Sequence, residues 1–446
     1  MVQKVLIITY YWPPSGGAGV QRWLKFVKYM RSCGMEPIVY TAENGEIPVE
    51  DPSLLNEVPI GTTVIKHPIW EPYSIYKKFI GRKKEDKINA AFLNEGRKSG
   101  IAEKVSVWIR GNFFIPDARK YWIKPSISKL SEVILSQGID VIISSGPPHS
   151  MHLIARGLKK KFPQVKWMAD FRDPWTQIDF YDKLMLTPLA DRKHHTLEAA
   201  VLLEADRILS IGQGMSEQLV ELYKKAGGKT ASKFHVIPNG FDTADVSDIP
   251  VQKDQKFTIA HIGTFVKDRN ANDLWQVLNE LVTTNPKFAS QLEIKLVGKV
   301  DQSVKEALQS FHLEKYVRFI PYLPHNEVIS EQQKSHVLLL PVNRTPNALG
   351  ILTGKFFEYM AAGVPVLAIG PTKGDLAKII QETNCGIMCE FEDLAAIKEA
   401  VLGIFNGHQR DRNEVEILKY SRKGQTEQLC ALISEMVRQP TRSGNQ

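Results

Sequence analysis

Lys355 and Glu358 stand three residues apart in the segment Thr353-Gly354-Lys355-Phe356-Phe357-Glu358-Tyr359-Met360-Ala361-Ala362-Gly363-Val364-Pro365-Val366-Leu367-Ala368. The pattern predicts a short helix opened by Gly354 and Lys355, where unpaired backbone N–H groups and the macrodipole favour an anion. Glu358 lies one turn on, on the face that carries Lys355. An ammonium for phosphate and a carboxylate for a ribose diol, on one short helix, form a clamp for a nucleoside diphosphate. Gly363 then ends the helix, and Val364 to Ala368 enter a sheet. Glu358 by itself reads as a surface helix glutamate; the flanking Gly-Lys and Ala-Ala-Gly-Val-Pro-Val argue for the clamp.

Three further constellations are polar and sit at the ends of apolar runs. In Pro13-Pro14-Ser15-Gly16-Gly17-Ala18-Gly19 the glycines let the backbone approach a phosphate or sugar without a Cβ clash. Arg22 stands where a frame beginning at Gly17 would need the third glycine of G-x-G-x-x-G, so a dinucleotide site is disfavoured. Ser145-Gly146-Pro147-Pro148-His149-Ser150 presents His149 at a strand end, able to hydrogen-bond a sugar hydroxyl or donate to a phosphate. His152, His194 and His195 read as solvent-facing helix residues. Asp170-Phe171-Arg172-Asp173-Pro174-Trp175 reads either as a structural ion pair or, just after a buried strand, as sugar recognition by Arg172 and Asp173. Asp173, Arg172 and His149 are therefore the candidate catalytic residues.

The elements that must position these groups alternate. Apolar runs at Lys4–Thr9, Glu36–Thr41, Ile139–Ser144, Val165–Asp170 and Arg207–Ile211 predict buried parallel strands, with a helix from Val20 to Met30. The pattern restarts at Phe257–Gly263 and continues through Ile294–Gly298, Val317–Ile320, Val337–Leu340 and Val364–Ala368. The restart implies two doubly wound α/β domains joined near residues 240–256. The boundaries read as 1–245, with a basic and aromatic helical insertion about 72–127, then 246–418. Residues 419–446 read as a terminal helix crossing back to the first domain, followed by a disordered end.

The 446 residues suffice for two or three domains with full cores. A net charge of +8 points to an anionic partner: nucleotide, anionic lipid or nucleic acid. Four scattered cysteines without a C-x-x-C pair favour reduced thiols and a cytoplasmic protein. The N-terminus has no signal-peptide pattern, and no apolar run is long enough to span a bilayer. Tyr73 to Lys87 carries Lys77, Lys78, Arg82, Lys83, Lys84 and Lys87 around Tyr76, Phe79 and Ile80, and Val107 to Ile115 is aromatic and apolar. Such a surface suits peripheral attachment to an anionic bilayer. Nucleic acid would use similar chemistry, but no recognised motif supports it.

Taken together, the glycine loop, the Gly263-Thr264-Phe265-Val266-Lys267-Asp268-Arg269-Asn270 loop, Phe319-Ile320-Pro321-Tyr322-Leu323-Pro324-His325 and the Thr353 to Ala368 segment resemble the family 4 retaining glycosyltransferases. That resemblance implies the GT-B fold, in which two Rossmann-like domains face each other across a cleft. It implies that Gly16 and Gly17 face the donor diphosphate and that Gly263, Thr264 and Arg269 line its second side, with Lys267 the alternative cation. Thr264 stands where the family places an arginine. It implies further that Tyr322 and Leu323 pack on the base, and that Thr353, Gly354, Lys355 and Glu358 hold the diphosphate and ribose. The first glutamate of the family's E-x7-E signature falls at Gly350, leaving Asn347 or Thr353 for polar contacts there. The family's usual sugar-contacting histidine is replaced by Arg172 and Asp173. A nucleotide-sugar would be substrate, with no metal or other cofactor: no D-x-D occurs, and cationic side chains would take the metal's place. The implied reaction passes a sugar to a hydroxyl acceptor, as on a lipid-linked glycan in surface-polysaccharide or glycolipid assembly. Two other readings use the same fold: a sugar-nucleotide epimerase, and a non-catalytic membrane- or nucleic-acid-binding protein.

Overall fold

The computed structural model describes residues 2–47, 49–71, 101–178, 180–245, 251–345, 347–408 and 410–438. The basic segment from Tyr73 to Lys87 lies outside them. The chain divides into two compact units, one running to Ile237 and resuming at Gln425, the other spanning Pro238–Gly424.

In the first unit the apolar runs become strands β1 (Gln3–Ile8), β2 (Met35–Ala42), β3 (Thr63–His67), β4 (Val141–Gly146), β5 (Lys166–Phe171), β6 (Arg207–Ser210) and β7 (Phe234–Val236). They form one sheet in the order β3-β2-β1-β4-β5-β6-β7, with every pairing parallel. Side chains alternate between two buried layers, as a strand covered on both faces requires. Leu6, Ile8, Ile142, Trp167 and Ala169 join one core. Val5, Ile7, Val141, Ile143 and Met168 join the other, where Trp23, Phe26 and Val27 of the helix Ala18–Met30 also pack. The second layer is completed by Leu429, Cys430, Ile433 and Met436 from the last helix, Arg422–Arg438.

The second unit repeats the plan with β8 (Phe257–Ile262), β9 (Leu292–Val297), β10 (Val317–Ile320), β11 (Val337–Pro341), β12 (Val366–Ile369) and β13 (Gly386–Cys389). The order is β10-β9-β8-β11-β12-β13, again parallel throughout. Both orders reverse direction beside the first strand of the unit, at β1/β4 and at β8/β11. In open α/β sheets the carboxyl ends at such a reversal hold the ligand. Phe356, Phe357, Tyr359 and Met360 bury one face of the helix Gly354–Ala361 in the core, which fixes what its other face presents.

Candidate functional site

In the second unit the carboxyl ends of β8 and β9 close onto each other. The Gly263 N–H donates to the Val297 carbonyl (2.8 Å) and the Gly298 N–H to that of Ile320 (2.9 Å). Both glycines lie at positive φ, +118° and +101°, which side-chain-bearing residues rarely adopt. A Cβ on Gly298 would come within 3.2 Å of the Gly263 carbonyl oxygen, and one on Gly263 within 2.6 Å of Lys355 Nζ. The glycine pair thus forms a bare backbone floor, with the lysine directly over it.

Lys355 Nζ also lies 3.1 Å from Nε2 of His261, whose Nδ1 lies 3.0 Å from the Leu339 carbonyl. A carbonyl only accepts, so Nδ1 carries the hydrogen. Burial and the Lys355 ammonium hold the imidazole well below its ordinary pKa. The ring is therefore neutral, and its bare Nε2 receives the lysine's N–H. Burial, then the Arg269 cation, bring the Lys355 ammonium down to about 7, with Glu358 opposing. Arg269 reaches the same sheet end from the turn after β8, its Nε donating to Asn343 Oδ1 after β11. Burial lowers the guanidinium as well, but an arginine stays charged. Two partly desolvated cations held near each other at a strand-end floor are chemically suited to an anion.

Thr353 precedes the helix Gly354–Ala361, and its buried Oγ1 makes no hydrogen bond. That hydroxyl and the N–H groups of Gly354 and Lys355 at the helix start supply donors beside the lysine, the next N–H, that of Phe356, donating to the Thr353 carbonyl (3.2 Å). Glu358 is exposed on the same helix, close enough for its charge to raise both Lys355 and Tyr359. Thr264 is exposed beside Gly263, while Tyr322, 85 % exposed, and half-buried Leu323 follow β10. The unit thus gathers Gly263, Arg269, Thr353, Gly354, Lys355 and Glu358 around one floor, with Tyr322 and Leu323 at the neighbouring strand end. His261 is the partner that sequence reasoning missed; a lone histidine two residues before the glycine of an apolar strand was the available signal.

In the first unit, Asp170 rather than Arg172 or Asp173 holds the strand end together. Arg22 and Asp170, both fully buried, pair at 2.9 Å. Trp23 Nε1 and Ser145 Oγ donate to the other carboxylate oxygen at 2.8 and 2.9 Å. Burial pushes the Asp170 carboxyl up, but Arg22 and the hydrogen bonds from Arg22 and Trp23 outweigh it and leave it below its ordinary value. Arg22, standing where a dinucleotide fold has its third glycine, is a tie from the first helix to β5. Arg172 Nη1 donates to the Gly19 carbonyl (2.9 Å) and Nη2 to that of Pro147, so it braces the two loops at the β1/β4 reversal. Asp173 is exposed beside it. Gly17 is open, at φ +87°, whereas a Cβ on Gly16 would meet Asp51 Cβ at 3.0 Å. Gly16 serves the packing of residues 49–51, to which its N–H also donates through the Val49 carbonyl (2.9 Å).

His149 is buried, its ring stacked on Trp175 at 4.6 Å with Nδ1 unpartnered. Burial, then the neighbouring His152, keep it far below its usual pKa, so it is a neutral ring. His152 and His194 are buried, contrary to the solvent-facing reading. His152 meets Ser144 Oγ at 2.9 Å and burial lowers it to about 3. His194 accepts from Trp175 Nε1 at 3.0 Å. The periodicity of the helix Pro188–Glu204 explains the miss: Ala190, His194, Glu198, Val201 and Leu202 share its buried face, despite the charged neighbours. His195, by contrast, is half-exposed and lies 3.4 Å from Asp191.

Residues 243–420 match the model of the family described as Glycosyl transferases group 1. No curated protein sequence matches the chain. Among solved structures, the chain resembles a sucrose-phosphate synthase from Thermosynechococcus elongatus at TM-score 0.57 and 12% identity, over 97% of this chain and 99% of that one. It resembles an E. coli trehalose-6-phosphate structure bound with UDP-2-fluoro glucose at 0.57 and 10%, over 98% and 99%. A lipopolysaccharide outer core galactosyltransferase gives 0.56 and 13%, over 97% and 99%. At these identities the likeness is one of fold. The two parallel sheets and these neighbours define an α/β protein of the GT-B fold, whose second unit is the part that matches the group 1 glycosyl transferase model.

Proposed function

We propose that the protein is a glycosyltransferase that takes a sugar from a nucleoside diphosphate and passes it, with retention, to a hydroxyl acceptor. The observation that carries this reading is Lys355, lying over the Gly263 floor with its ammonium depressed by burial and by Arg269. A cation held in that state has most to gain from a diphosphate, and more still as charge develops on it in the transition state. As the bond from the anomeric carbon to the β-phosphate oxygen breaks, Lys355, Arg269 and the helix start at Gly354 would receive the charge. The acceptor oxygen bonds to the anomeric carbon, and its proton passes to the departing phosphate. Glu358 would hold the ribose hydroxyls. For the first unit, we assign His149, Arg172 and Asp173 to sugar recognition. The acceptor is a hydroxyl on a lipid-linked glycan, and the setting is surface-polysaccharide or glycolipid assembly on the cytoplasmic side.

Initial rates with a panel of nucleotide sugars test the reading. Lys355→Ala is expected to lower kcat about 10²–10³-fold, the typical cost of removing one transition-state charge partner. Glu358→Ala is expected to raise the donor KM roughly tenfold or more, through loss of a charge-assisted hydrogen bond. Unchanged rates in both variants, or conversion of the donor sugar with no acceptor present, contradict the proposal.

A further inference from the structure

One face of the first unit is unlike the rest of its surface. The helix Ile101–Phe113 leaves Trp108 and Phe113 exposed by 40% and 58%. Beside them stand Trp70 (54%), Tyr121 (48%), Met185 (40%) and Leu189 (81%). The rings are in contact: Trp108 meets Phe113 at 5.7 Å, Phe114 meets Tyr121 at 6.3 Å and Tyr121 meets Trp70 at 5.0 Å. Asn112 bolts the helix to the 185–187 segment, donating to the Met185 carbonyl (3.1 Å) and accepting from the Thr187 N–H (2.6 Å). Gly111 permits that approach, since a Cβ there would strike the Leu184 carbonyl at 2.8 Å. Among the described residues, the apolar groups thus cluster on this face instead of standing singly.

Lysines stand around it. The Lys120 ammonium lies over Phe114 and Tyr121, 5.5 and 4.9 Å from the ring centres, while Lys104, Lys124 and Lys183 are exposed nearby. Asp182 is exposed beside Lys183, and Asp191, 45% exposed and 3.4 Å from His195, follows Leu189. Lysine is depleted from protein–protein interfaces, whereas tryptophan, tyrosine and long-stemmed cations together suit a membrane interface, where rings sit at headgroup level and ammonium groups reach lipid phosphates. We propose that this face, built from Trp70, Trp108, Phe113, Tyr121, Met185 and Leu189 within its rim of lysines, docks on an anionic lipid bilayer. Nothing in it draws on the glycosyltransfer reading, which it would complement by holding the protein where a lipid-linked acceptor lies.

Flotation of the full-length protein with vesicles of phosphatidylcholine, with and without phosphatidylglycerol, tests the proposal. Wild type is expected to partition at least tenfold more strongly onto the anionic vesicles, with salt weakening the difference and tryptophan emission shifting to the blue on binding. Phe113→Ser with Leu189→Ser is expected to cut partition about tenfold, and Lys120→Gln with Lys183→Gln to remove most of the preference for anionic lipid. Far-UV circular dichroism and the melting temperature of each variant confirm the fold. Wild type that floats with neither vesicle, binds both equally, or binds undiminished in folded Phe113→Ser/Leu189→Ser protein overturns the proposal.

Discussion

At the residue scale, the most informative group is Lys355, because its protonation should be linked to its ligand. Its ammonium, brought down to about 7 by burial and then by Arg269, is mostly neutral in the empty site at pH 8 and mostly charged at pH 6. A diphosphate favours the charged form and raises the folded-state value again, so binding takes up protons above pH 7 and not below it. A nucleotide sugar carries no phosphate that titrates in this range, so the proton is the protein's. Calorimetry in buffers of different ionisation enthalpy is expected to give an uptake close to one proton at pH 8, little at pH 6, and affinity falling as pH rises between them. Uptake independent of pH, or undiminished in Lys355→Met, contradicts the account. Lys355 and Glu358 were legible because Gly-Lys before a short apolar helix is itself a chemical statement. His261 was not, since an apolar strand gives no sign of which way its one polar ring faces. Nor did sequence reveal that Asp170 would pair with Arg22, 148 positions away, rather than with its neighbour Arg172.

At the element scale, the strand ends depend on backbone conformations that only glycine supplies cheaply. Gly263→Ala would put a side chain at φ +118°, within 2.6 Å of Lys355 Nζ and 3.0 Å of its Cε. The strain costs about 1–3 kcal/mol, and the displaced lysine loses its place over the floor. Urea denaturation is expected to show that loss of stability, and calorimetry a nucleotide affinity at least tenfold weaker. A variant that binds as tightly as wild type would show that the floor does not position the lysine. The long apolar strands were readable from sequence, and each appears within a few residues of its expected ends. Strands β3, β7 and β13 were not. Thr63–His67 and Phe234–Val236 are only partly buried at the sheet's two edges, and Gly386–Cys389 is four residues with a glycine in it. None offers the continuous apolar run that betrays a central parallel strand.

At the scale of the whole molecule, each unit carries its own sheet and cores, and the helix Arg422–Arg438 contributes its apolar stripe to the first. Leu429 and Ile433 are fully buried there. Leu429→Ala and Ile433→Ala are each expected to cost about 2–5 kcal/mol. Hydrogen exchange should then quicken in β1 and β4 while the amides of β8 and β11 keep their protection. Equal acceleration in both sheets would show that the helix does not belong energetically to the first unit.

The central claim is that the second unit binds a nucleoside diphosphate through Lys355 and Glu358. The most direct test is a thermal-shift panel of UDP, GDP, ADP and their sugars on wild type, Lys355→Ala and Glu358→Ala. One nucleotide family is expected to stabilise wild type, by about 2.7 kcal/mol at a hundredfold excess over Kd, with the shift reduced in both variants. No shift with any nucleotide, or equal shifts in all three proteins, would contradict it.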